Sequence, residues 1–394
     1  MPHYTYLIVG GGMTAASALD GIREKDRSGS VGIISAETDP PYDRPPLSKG
    51  LWKGERLGSI WRKVPKKKLT LHLGRRVTEL FPKKNRAVDD HGDVYTYGRL
   101  LLATGGAPRR LPFGGDGIIY YRDVADYQRL RALAGMGRRF AVIGAGFIGS
   151  EVAAGLALNK KDVTLIFPGT DVGGRLFPRD LAKFVSGYYK KKGVRVMPGA
   201  KVLGLEVRGD AKVLKTSKGD VVADVVVAGL GLEPNTSLAE SAGVHCENGI
   251  LVDKYLRTNV AGIYAAGDVA AFYNPDLGKR MRVEHEDNAN TMGRIAGRNM
   301  AGASEPYDHL PFFYSDLFDL GYEAVGDVDS RLETFADWTK PNREGVVYYL
   351  DQGRVRGVLL WNVWEQVDAA RALIAEPGPL TPKSLKGRLP VETS

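Results

Sequence analysis

The N-terminal part of the chain shows apolar and glycine-rich stretches in a regular order. The apolar run Tyr6–Val9 is followed by Gly10–Gly12, a helical pattern from Met13 to about Lys25, and a second apolar run, Val31–Ser35. A continuous apolar run predicts a strand that is covered on both faces, as in a parallel sheet. We therefore predict a strand–helix–strand unit in which the glycines form the first turn.

The same order of patterns returns in the middle of the chain. The apolar run Phe140–Ile143 leads into Gly144–Gly149, a helical pattern continues to about Leu158, and a further apolar run spans Val163–Phe167. Two copies of one strand–helix–strand unit predict an α/β protein with two Rossmann-like domains. Each of them would carry a nucleotide site.

The pattern changes from about Tyr307 onwards. The runs Val346–Leu350 and Val355–Trp361 flank the turn Asp351–Gly353, which predicts a β-hairpin, and a helix is expected from about Val367 to Ile374. This part reads as a smaller C-terminal α+β domain. Prolines at 377, 379 and 382 predict a loose end after it.

The first glycine loop matches a dinucleotide fingerprint. Gly10, Gly12 and Ala15 have the spacing G-x-G-x-x-A, in which the first glycine turns the chain and the second admits a pyrophosphate. The phosphates then face the helix N-terminus, where N–H groups and the helix dipole attract anions. Glu37 follows the second strand, 25 residues after Gly12, where an acid can bind ribose hydroxyls. A glycine-rich turn in any α/β protein is the alternative interpretation.

The second glycine loop has the full form of the motif. Gly144, Gly146 and Gly149 stand between a strand and a helix, with Phe147 and Ile148 among them. No carboxylate occupies the end of the next strand, since Asp171 comes four residues after it. Arg175 is the nearest arginine that could bind a 2′-phosphate. NADH is therefore preferred over NADPH, and a flavin paired with a nicotinamide is the chemically useful combination.

Composition limits the class of protein. Hydrophobic residues make up 43% and charged residues 26% of the 394 residues, as is ordinary, while the 49 glycines exceed the usual share of about 7%. No apolar window is long enough to cross a bilayer, and the N-terminus does not resemble a signal peptide. The single cysteine, Cys246, excludes a disulfide scaffold and a CxxC redox pair within the chain. A cytoplasmic protein is expected.

The formal net charge is +9 at pH 7. The basic residues form short runs, namely Lys66–Lys68, Arg75–Arg76, Lys83–Lys84, Arg109–Arg110, Arg138–Arg139 and Lys190–Lys192. A solvated surface is one interpretation of these runs, and a docking face for a small acidic redox protein or a polyanion is the other. Few aromatic residues are interleaved with them, which disfavours single-stranded nucleic acid.

Two further motifs make the chain similar to a known group of proteins. Leu101–Pro108 resembles the ATG motif of two-dinucleotide flavoproteins, and Ile263–Val269 resembles their second FAD motif. Within that superfamily the chain is most similar to apoptosis-inducing factor and to bacterial ferredoxin-reductase-like enzymes. The segments that carry this similarity are Pro41–Lys49, Val283–Asp287, Ser315–Leu317, Gly321–Ala324 and Leu360–Asn362.

The similarity extends from about Tyr6 to Ile374, with some departures. Tyr314 stands where apoptosis-inducing factor has a tryptophan. A mitochondrial leader, a membrane anchor and a long C-terminal insertion are not expected either, so a role in cell death is not implied.

The resemblance implies a glutathione-reductase-like arrangement of domains. It predicts a split FAD-binding domain at 1–113 and 247–306, an NAD(P)H-binding domain at 114–246, and a C-terminal α+β domain at 307–394 that covers the flavin. On the FAD side it implies contacts by Gly10, Gly12, Thr14, Ala15, Glu37, Arg44, Lys49, Val77, Ala103, Thr104, Gly105, Arg109, Gly267, Asp268, His285 and Trp361. On the NAD side it implies Gly144, Gly146, Phe147, Ile148, Gly149, Glu151 and Gly231.

Three residues are implied to lie close to the chemistry. The resemblance pairs Lys49 with Glu151 beside the flavin ring and puts His285 near the nicotinamide. Glu151 comes soon after Gly149, where we expect it in the first turn of a helix and stabilised by the helix dipole. Lys49 would favour reduced, anionic flavin, and a solvated lysine in a proline-rich loop is the alternative. Neighbouring acids would raise the pKa of His285 if they lie close to it.

Other candidates keep two interpretations or are set aside. Trp361 either packs against the flavin site or fills the core of the C-terminal domain. Metal binding by the acidic run around His285 is not expected. Disulfide-reductase activity is not expected, because no cysteine occurs before Cys246. Cys246 itself is interpreted as an incidental residue in a turn.

Two functional hypotheses use the same cofactors, FAD and a nicotinamide dinucleotide. The first is an NADH-dependent reductase whose flavin passes electrons to a ferredoxin, a rubredoxin, a quinone or oxygen. The second is a slow redox sensor that changes shape or forms a homodimer when NADH reduces its flavin. Turnover with excess acceptor separates the two hypotheses.

Overall fold

The computed structural model describes residues 1–65, 67–209 and 211–389, and it forms two compact units. The first unit contains Met1–Arg44, Gly58–Ala107 and Glu233–Pro311. The second unit contains Pro45–Leu57, Pro108–Leu232 and the chain from Phe312 onwards. Lys66, from the first basic run of the sequence, lies outside the described residues.

Most of the regular structure is strand, and helices stand between some of the strands. In chain order the strands are β1 (His3–Val9), β2 (Val31–Ser35), β3 (Leu69–Leu73), β4 (Val77–Phe81), β5 (Arg86–Asp89), β6 (Val94–Leu102), β7 (Gly106–Pro108), β8 (Ile118–Tyr120), β9 (Arg139–Ile143), β10 (Asp162–Phe167), β11 (Arg195–Pro198), β12 (Val202–Arg208), β13 (Ala211–Thr216), β14 (Val221–Ala223), β15 (Val225–Ala228), β16 (Leu232–Pro234), β17 (Cys246–Glu247), β18 (Gly249–Leu251), β19 (Ile263–Ala265), β20 (Ala270–Asn274), β21 (Lys279–Met281), β22 (Phe312–Leu317), β23 (Leu320–Gly326), β24 (Glu333–Lys340), β25 (Glu344–Asp351) and β26 (Arg354–Trp361). The helices are α1 (Met13–Lys25), α2 (Val124–Met136), α3 (Phe147–Leu158), α4 (Arg179–Lys191), α5 (Ser237–Ser241), α6 (Glu286–Met300), α7 (Val367–Ala375) and α8 (Pro382–Leu385).

The first unit is built on a parallel sheet in the order β3-β2-β1-β6-β19. This order is that of a Rossmann half, and α1 makes the first crossover, as predicted. Strands β4 and β5 extend the sheet antiparallel to the start of β6. Helices α1 and α6 approach backbone to backbone, because an ideal Cβ on Gly21 would lie 2.0 Å from the Arg294 carbonyl oxygen.

The second unit contains another parallel sheet, in the order β11-β10-β9-β15-β8. Its central strands β9 and β10 flank α3 in the chain, so the second predicted strand–helix–strand unit is also confirmed. A three-stranded antiparallel sheet, β12-β13-β14, interrupts the sequence between β11 and β15. Both Rossmann-like units expected from the repeated pattern are therefore present.

The C-terminal part of the second unit is an antiparallel sheet in the order β22-β23-β26-β25-β24, followed by α7. The predicted hairpin is confirmed, since β25 and β26 pair around Gln352 and Gly353, both of which have positive φ. The expectation of a loose end after α7 is wrong as far as Leu389. Helix α8 forms there, and Leu385 and Leu389 are buried, because their side chains pack into the second unit.

The limits of the two compact units do not coincide with the domain boundaries given by the resemblance. The strands β7 and β16 contain two of the positions where the chain passes from one unit to the other. The loop Pro45–Leu57 belongs to the second unit, although its sequence neighbours belong to the first. The three-domain division at 113, 246 and 306 stays a prediction. Within the described ranges, no helix is long and apolar enough to cross a membrane.

Candidate functional site

The first glycine loop stands at the carboxyl end of β1, in front of α1. Gly10 has φ +117°, and an ideal Cβ there would lie 2.0 Å from the carbonyl oxygen of Ala103, so a side chain does not fit. Gly12 is the N-cap of α1, and the nearest neighbour of an ideal Cβ on it would be Arg44 Nη2, at 3.9 Å. An open space with a guanidinium at its edge therefore faces the N-terminus of the helix. That combination fits an anionic pyrophosphate.

The ATG segment forms the wall next to this loop. The Ala103 N–H donates to the Val9 carbonyl oxygen at 2.8 Å, which fixes the segment beside Gly10. The Thr104 hydroxyl donates to the Asn235 carbonyl oxygen, and the Asn235 amide donates back to the Thr104 carbonyl oxygen, each at 2.8 Å. Gly105 follows with φ +62°. The segment is thus held by its own main chain and by Asn235.

The second FAD motif lies against the start of α1. An ideal Cβ on Gly267, which has φ +78°, would lie 2.2 Å from the Thr14 hydroxyl oxygen. Asp268 follows with a half-buried side chain, and its carbonyl oxygen accepts from Arg282 Nη1 at 2.9 Å. The first unit therefore gathers the predicted residues at the carboxyl ends of β1, β6 and β19. Ligands of α/β sheets bind at this edge.

Glu37 lies after β2, as predicted, and its carboxylate already has protein partners. It forms an ion pair with Arg44, and the Tyr42 hydroxyl donates to its Oε2 at 2.6 Å. Arg44 Nη1 also donates to the Tyr42 oxygen at 2.9 Å. Tyr42 was quoted in the sequence only as part of a family segment, and its role as a partner of Glu37 was missed. Ala15 and Val77 are buried, so their side chains belong to the core of this unit.

His285 is the N-cap residue of α6 and is half-buried. Two of the acids around it have other partners: Glu284 pairs with Arg282 at 2.7 Å, and Asp287 pairs with His309 at 2.6 Å. The effect of its acidic neighbours on His285 and its contact with nicotinamide both stay predictions.

The second glycine loop repeats the geometry of the first within the second unit. Gly144 has φ +99°, and an ideal Cβ on it would lie 2.3 Å from the Gly229 carbonyl oxygen. A Cβ on Gly149 would lie 1.9 Å from the carbonyl oxygen of Gly144. Gly146 caps α3, and among the described residues no heavy atom lies within 4 Å of a Cβ built there. The space in front of α3 is therefore open to a second pyrophosphate.

The remaining residues predicted for the NAD side also lie in the second unit. Ile148 is exposed and Phe147 half-exposed at the start of α3. The exposed Arg109, predicted on the FAD side, lies in the second unit, and its N–H donates to the Gly231 carbonyl oxygen at 3.0 Å. After β10 the chain continues through exposed residues 168–170 before Asp171, so a carboxylate does not directly follow the strand.

Glu151 occupies a different position in its helix from the one predicted. Helix α3 begins at Phe147, so Glu151 is its fifth residue and lies beyond the first turn, where the dipole acts most strongly. The expected place in the first turn is therefore wrong, and stabilisation of Glu151 by the helix dipole stays a prediction. The side chain is 1% exposed, and its carboxylate pairs with Lys49 Nζ at 2.8 Å. The hydroxyls of Ser48 and Ser315 donate to Oε2 and Oε1, each at 2.5 Å.

Lys49 is held by a second contact besides Glu151. Its Nζ lies 4.9 Å from the centre of the Tyr314 ring, a cation–π distance, and its side chain is 13% exposed. The alternative of a solvated lysine is therefore wrong. We call Ser48, Lys49, Glu151, Tyr314 and Ser315 the Lys49 cluster. The hydroxyls of Ser48 and Ser315 were missed, although both residues lie in segments that carry the family resemblance.

The loop that carries Lys49 is anchored by Trp52. The Trp52 indole N–H donates to the Leu47 carbonyl oxygen at 2.9 Å, and Asn159 Nδ2 donates to the Trp52 carbonyl oxygen at 2.9 Å. The ring packs on Gly155 of α3, where an ideal Cβ would lie 2.9 Å from Trp52 Cγ. Trp52 therefore fastens the loop that carries Lys49 to α3, the helix that carries Glu151.

Buried phenols lie near the carboxylate of Glu151. Burial, with the negative charge of Glu151 as a further cause, raises the pKa of Tyr189 and of Tyr322 well above the ordinary value. Both hydroxyls therefore remain protonated at neutral pH. The Tyr189 hydroxyl donates to the Ser150 carbonyl oxygen at 2.9 Å.

Two further candidates, the aromatic ring of Trp361 and the thiol of Cys246, have structural roles. Trp361 is 0% exposed, stacks on Tyr322 and meets Phe177 edge to face. The prediction of a flavin contact by its side chain gives way to the core alternative, because no surface of the ring remains to touch a ligand. Cys246 lies in the short strand β17, and burial raises the pKa of its thiol to about 11. A thiol that is protonated at neutral pH is a poor nucleophile.

Two family models together match most of the chain. A model described as pyridine nucleotide-disulphide oxidoreductase matches residues 4–293. A model described as the C-terminal, mitochondrion-associated part of apoptosis-inducing factor matches residues 296–344.

Both groups that the sequence suggested occur among the similar proteins, together with monodehydroascorbate reductases such as the seedling isozyme of Cucumis sativus, which is 32% identical over 95% of this chain and 94% of its own. The ferredoxin reductase subunit of 5,5'-dehydrodivanillate O-demethylase from Sphingobium sp. is 34% identical, over 95% of this chain and 94% of its own. Apoptosis-inducing factor 1 of Dictyostelium discoideum is 33% identical, over 94% of this chain and 78% of its own. Among solved structures, the covalent putidaredoxin reductase–putidaredoxin complex contains a chain with a TM-score of 0.90 and 28% identity, matched over 98% of this chain and 95% of that one.

Proposed function

Because this chain belongs to the pyridine nucleotide-disulphide oxidoreductase family, we propose that it takes hydride from NADH onto FAD and passes the electrons to a ferredoxin-type protein. It is an FAD-dependent oxidoreductase that uses a pyridine nucleotide. The disulphide in the family's description does not extend to this chain, which has one cysteine. The choice of NADH and of the acceptor is our proposal.

The observation that carries the proposal is the pair of open helix N-termini at α1 and α3. Each is preceded by a glycine whose missing side chain leaves space for a pyrophosphate. In the first unit, Gly12 and Arg44 would hold the pyrophosphate of FAD, Glu37 would bind its ribose, and Asp268 would bind its ribityl end. In the second unit, Gly146 would hold the pyrophosphate of the nicotinamide dinucleotide.

Bound FAD supplies a site that accepts hydride and releases single electrons. The chain's own residues then have little acid–base chemistry to perform and act through position and charge. We propose that Lys49 contacts the flavin, where its ammonium group favours the extra negative charge that arrives with hydride. Glu151 and Tyr314 hold that ammonium group in place.

Selectivity for NADH would follow from the segment after β10. An acid at this place binds a ribose diol, and an arginine binds a 2′-phosphate. Neither directly follows Phe167, while Asp171 and Arg175 come later in the loop. We propose that NADH is preferred because Asp171 disfavours a 2′-phosphate by like charge.

A ferredoxin-type acceptor is favoured by the relatives and by charge. The Sphingobium relative is named as a ferredoxin reductase subunit, and the solved structure pairs a reductase with putidaredoxin. A net charge of +9 would attract a small acidic redox protein by electrostatic steering. Cytoplasmic localisation, a homodimer and the absence of nucleic-acid binding stay predictions.

The alternative is a slow redox sensor. It is favoured by the Dictyostelium relative and by the match of residues 296–344 to apoptosis-inducing factor. In that case NADH would reduce the flavin slowly, and the reduced complex would persist and change conformation or dimerise.

Steady-state turnover with excess NADH separates these functions. A [2Fe–2S] ferredoxin, a rubredoxin, a soluble quinone and oxygen are supplied in turn at equal concentration, and NADH oxidation is followed. We expect the ferredoxin to support the fastest turnover. Faster turnover with quinone or oxygen than with ferredoxin would contradict the proposal of a ferredoxin-type acceptor. The absence of turnover with all four acceptors would favour the slow redox sensor.

A further inference from the structure

The carboxylate of Glu151 receives two hydroxyl hydrogen bonds in addition to its ion pair. Ser315 and Lys49 both contact Oε1, at 2.5 and 2.8 Å, and Ser48 contacts Oε2 at 2.5 Å. We propose that Ser48 and Ser315 are positioning residues for flavin reduction, which tune the charge that Lys49 presents to the flavin. This inference rests on the proposed function in one respect, the contact of Lys49 with the flavin.

The ion pair with Glu151 limits the positive charge that Lys49 presents to other groups. A lysine that shares its charge with a carboxylate at 2.8 Å presents much less positive potential to a third group than an unpaired lysine does. Hydroxyl donors on the same carboxylate stabilise its negative charge and spread it over more atoms. The two serines therefore weaken the hold of Glu151 on Lys49, and more of the ammonium charge remains for the flavin.

The sequence positions of the serines fit this role. Ser48 immediately precedes Lys49, and Ser315 immediately follows Tyr314, whose ring contacts the ammonium group. One chain segment thus supplies the ammonium group of Lys49 and the hydroxyl of Ser48. The other supplies the Tyr314 ring, which contacts the ammonium group, and the hydroxyl of Ser315. Ser48 and Ser315 are buried, at 4% and 1% exposure, so water does not replace their hydrogen bonds.

A purely structural role is the competing explanation, since a buried carboxylate needs donors in any case. The two explanations differ in their dependence on Lys49. If the serines act through Lys49, their removal has little effect on the flavin once the ammonium group is gone. If they only satisfy Glu151, their removal has the same effect with or without Lys49.

The test is a double-mutant cycle on the FAD-loaded protein. S48A/S315A is compared with wild type, and S48A/S315A/K49M is compared with K49M. Ser186, a buried serine of the same unit whose Oγ accepts from the Val172 N–H, provides the control S186A. Two quantities are measured: the rate of anaerobic flavin reduction by NADH, and the midpoint potential of the flavin by dye equilibration with a chemical reductant.

We expect the serine double variant to lower the midpoint potential and to slow reduction by about tenfold, because the lost hydrogen bonds are charge-assisted and only part of their effect reaches the flavin through Lys49. In the K49M background the same two changes should alter the rate less than about twofold. S186A should behave as wild type. Equal effects in both backgrounds, or no effect in either, would overturn the inference.

The potential measurement keeps this test separate from the proposed function, since it needs no nucleotide. A wild-type flavin that neither NADH nor NADPH reduces would end the proposed function, and a Lys49-dependent shift in potential would still support the inference. If the alanine variants lose FAD, the midpoint potential is measured on S48C and S315C instead. Their thiols fill the space but donate weakly, so a Lys49-dependent drop in potential is again expected, and an unchanged potential would overturn the inference.

Discussion

At the scale of single residues, some glycines of the two loops are needed for the fold and others leave space for a ligand. Gly10 and Gly149 are required by the protein itself, because a Cβ at either would collide with a carbonyl oxygen. Among the described residues, a Cβ on Gly146 would meet no atom within 4 Å and one on Gly12 only Arg44 Nη2 at 3.9 Å, so a ligand is what either would collide with. Substitution at the second kind of position therefore separates binding from folding.

Gly146→Ala is the sharpest such change. No described heavy atom lies within 4 Å of the new methyl group, so FAD content and stability should match wild type. The Kd for NADH should rise about tenfold or more, because the methyl group occupies the path of the pyrophosphate. Gly187→Ala, on α4, is the control, since its methyl group also meets none of the described atoms. Unchanged NADH binding in G146A would contradict the assignment of this loop.

Asp224 allows a prediction about pH. Hydrogen bonds from the Arg139 guanidinium and from the main-chain N–H groups of Arg139 and Arg138 lower the pKa of Asp224 to about 2. Because the folded-state pKa lies below the ordinary value of 3.8, Asp224 stabilises the fold above about pH 4. That contribution disappears as the pH falls through about 2.

Asp224→Asn should therefore lower the free energy of unfolding at pH 7 by about 2 kcal/mol. The difference from wild type should shrink as the pH is lowered below 4, which thermal unfolding over a pH series can follow. The control is Asp220→Asn, which removes a surface ion pair with Lys215 and should cost less than about 0.5 kcal/mol. A difference that stays constant with pH would refute the argument.

At the scale of elements, the regular parts of the chain were predictable and the loops were not. The limits of α1 and β2 follow from the apolar pattern, and the β25–β26 hairpin follows from its turn residues. The position of Glu151 in α3 could have been predicted from the first loop, because α1 begins directly after Gly12 and α3 begins directly after Gly146, the second glycine of the same motif. The expectation of a place in the first turn counted from Gly149, the third glycine, which already lies inside the helix.

The Lys49 cluster shows why the site was only partly predictable. Its ion pair was expected from a family resemblance, whereas its hydroxyl donors were not expected at all. Ser48 and Ser315 lie 103 and 164 positions away from Glu151 in the chain. Contacts at such separation leave no periodic signal in a single sequence. Trp361 could not be assigned for the same reason, since only the packing of Tyr322 and Phe177 decides its role.

Helix α8 provides a prediction at this scale. Leu385 is 0% exposed, so Leu385→Ala should lower the free energy of unfolding by about 3 kcal/mol, as large-to-small changes in a core do. Lys383→Ala, at an exposed position of the same helix, should have almost no effect. Urea unfolding of both variants measures the difference. Equal stabilities would mean that the end of the chain is as loose as its prolines suggest.

At the scale of the whole molecule, net charge and the choice of acceptor are linked. With a charge of +9, encounter with an acidic ferredoxin should be steered by long-range attraction that salt screens. Raising the ionic strength from about 0.05 to 0.5 M should lower kcat/KM for the ferredoxin about tenfold. Turnover with a neutral quinone is the control and should change little. The same salt dependence for both acceptors would exclude steering.

We propose that a nicotinamide dinucleotide bound at the second glycine loop reduces FAD bound at the first. Anaerobic stopped-flow mixing of the yellow protein with NADH, and separately with NADPH, follows this step through the bleaching of the flavin. We expect rapid bleaching by NADH, slower bleaching by NADPH, and no lasting long-wavelength band. A flavin that stays oxidised with both nucleotides would contradict the claim, and slow bleaching with a persistent long-wavelength band would replace the reductase by the redox sensor.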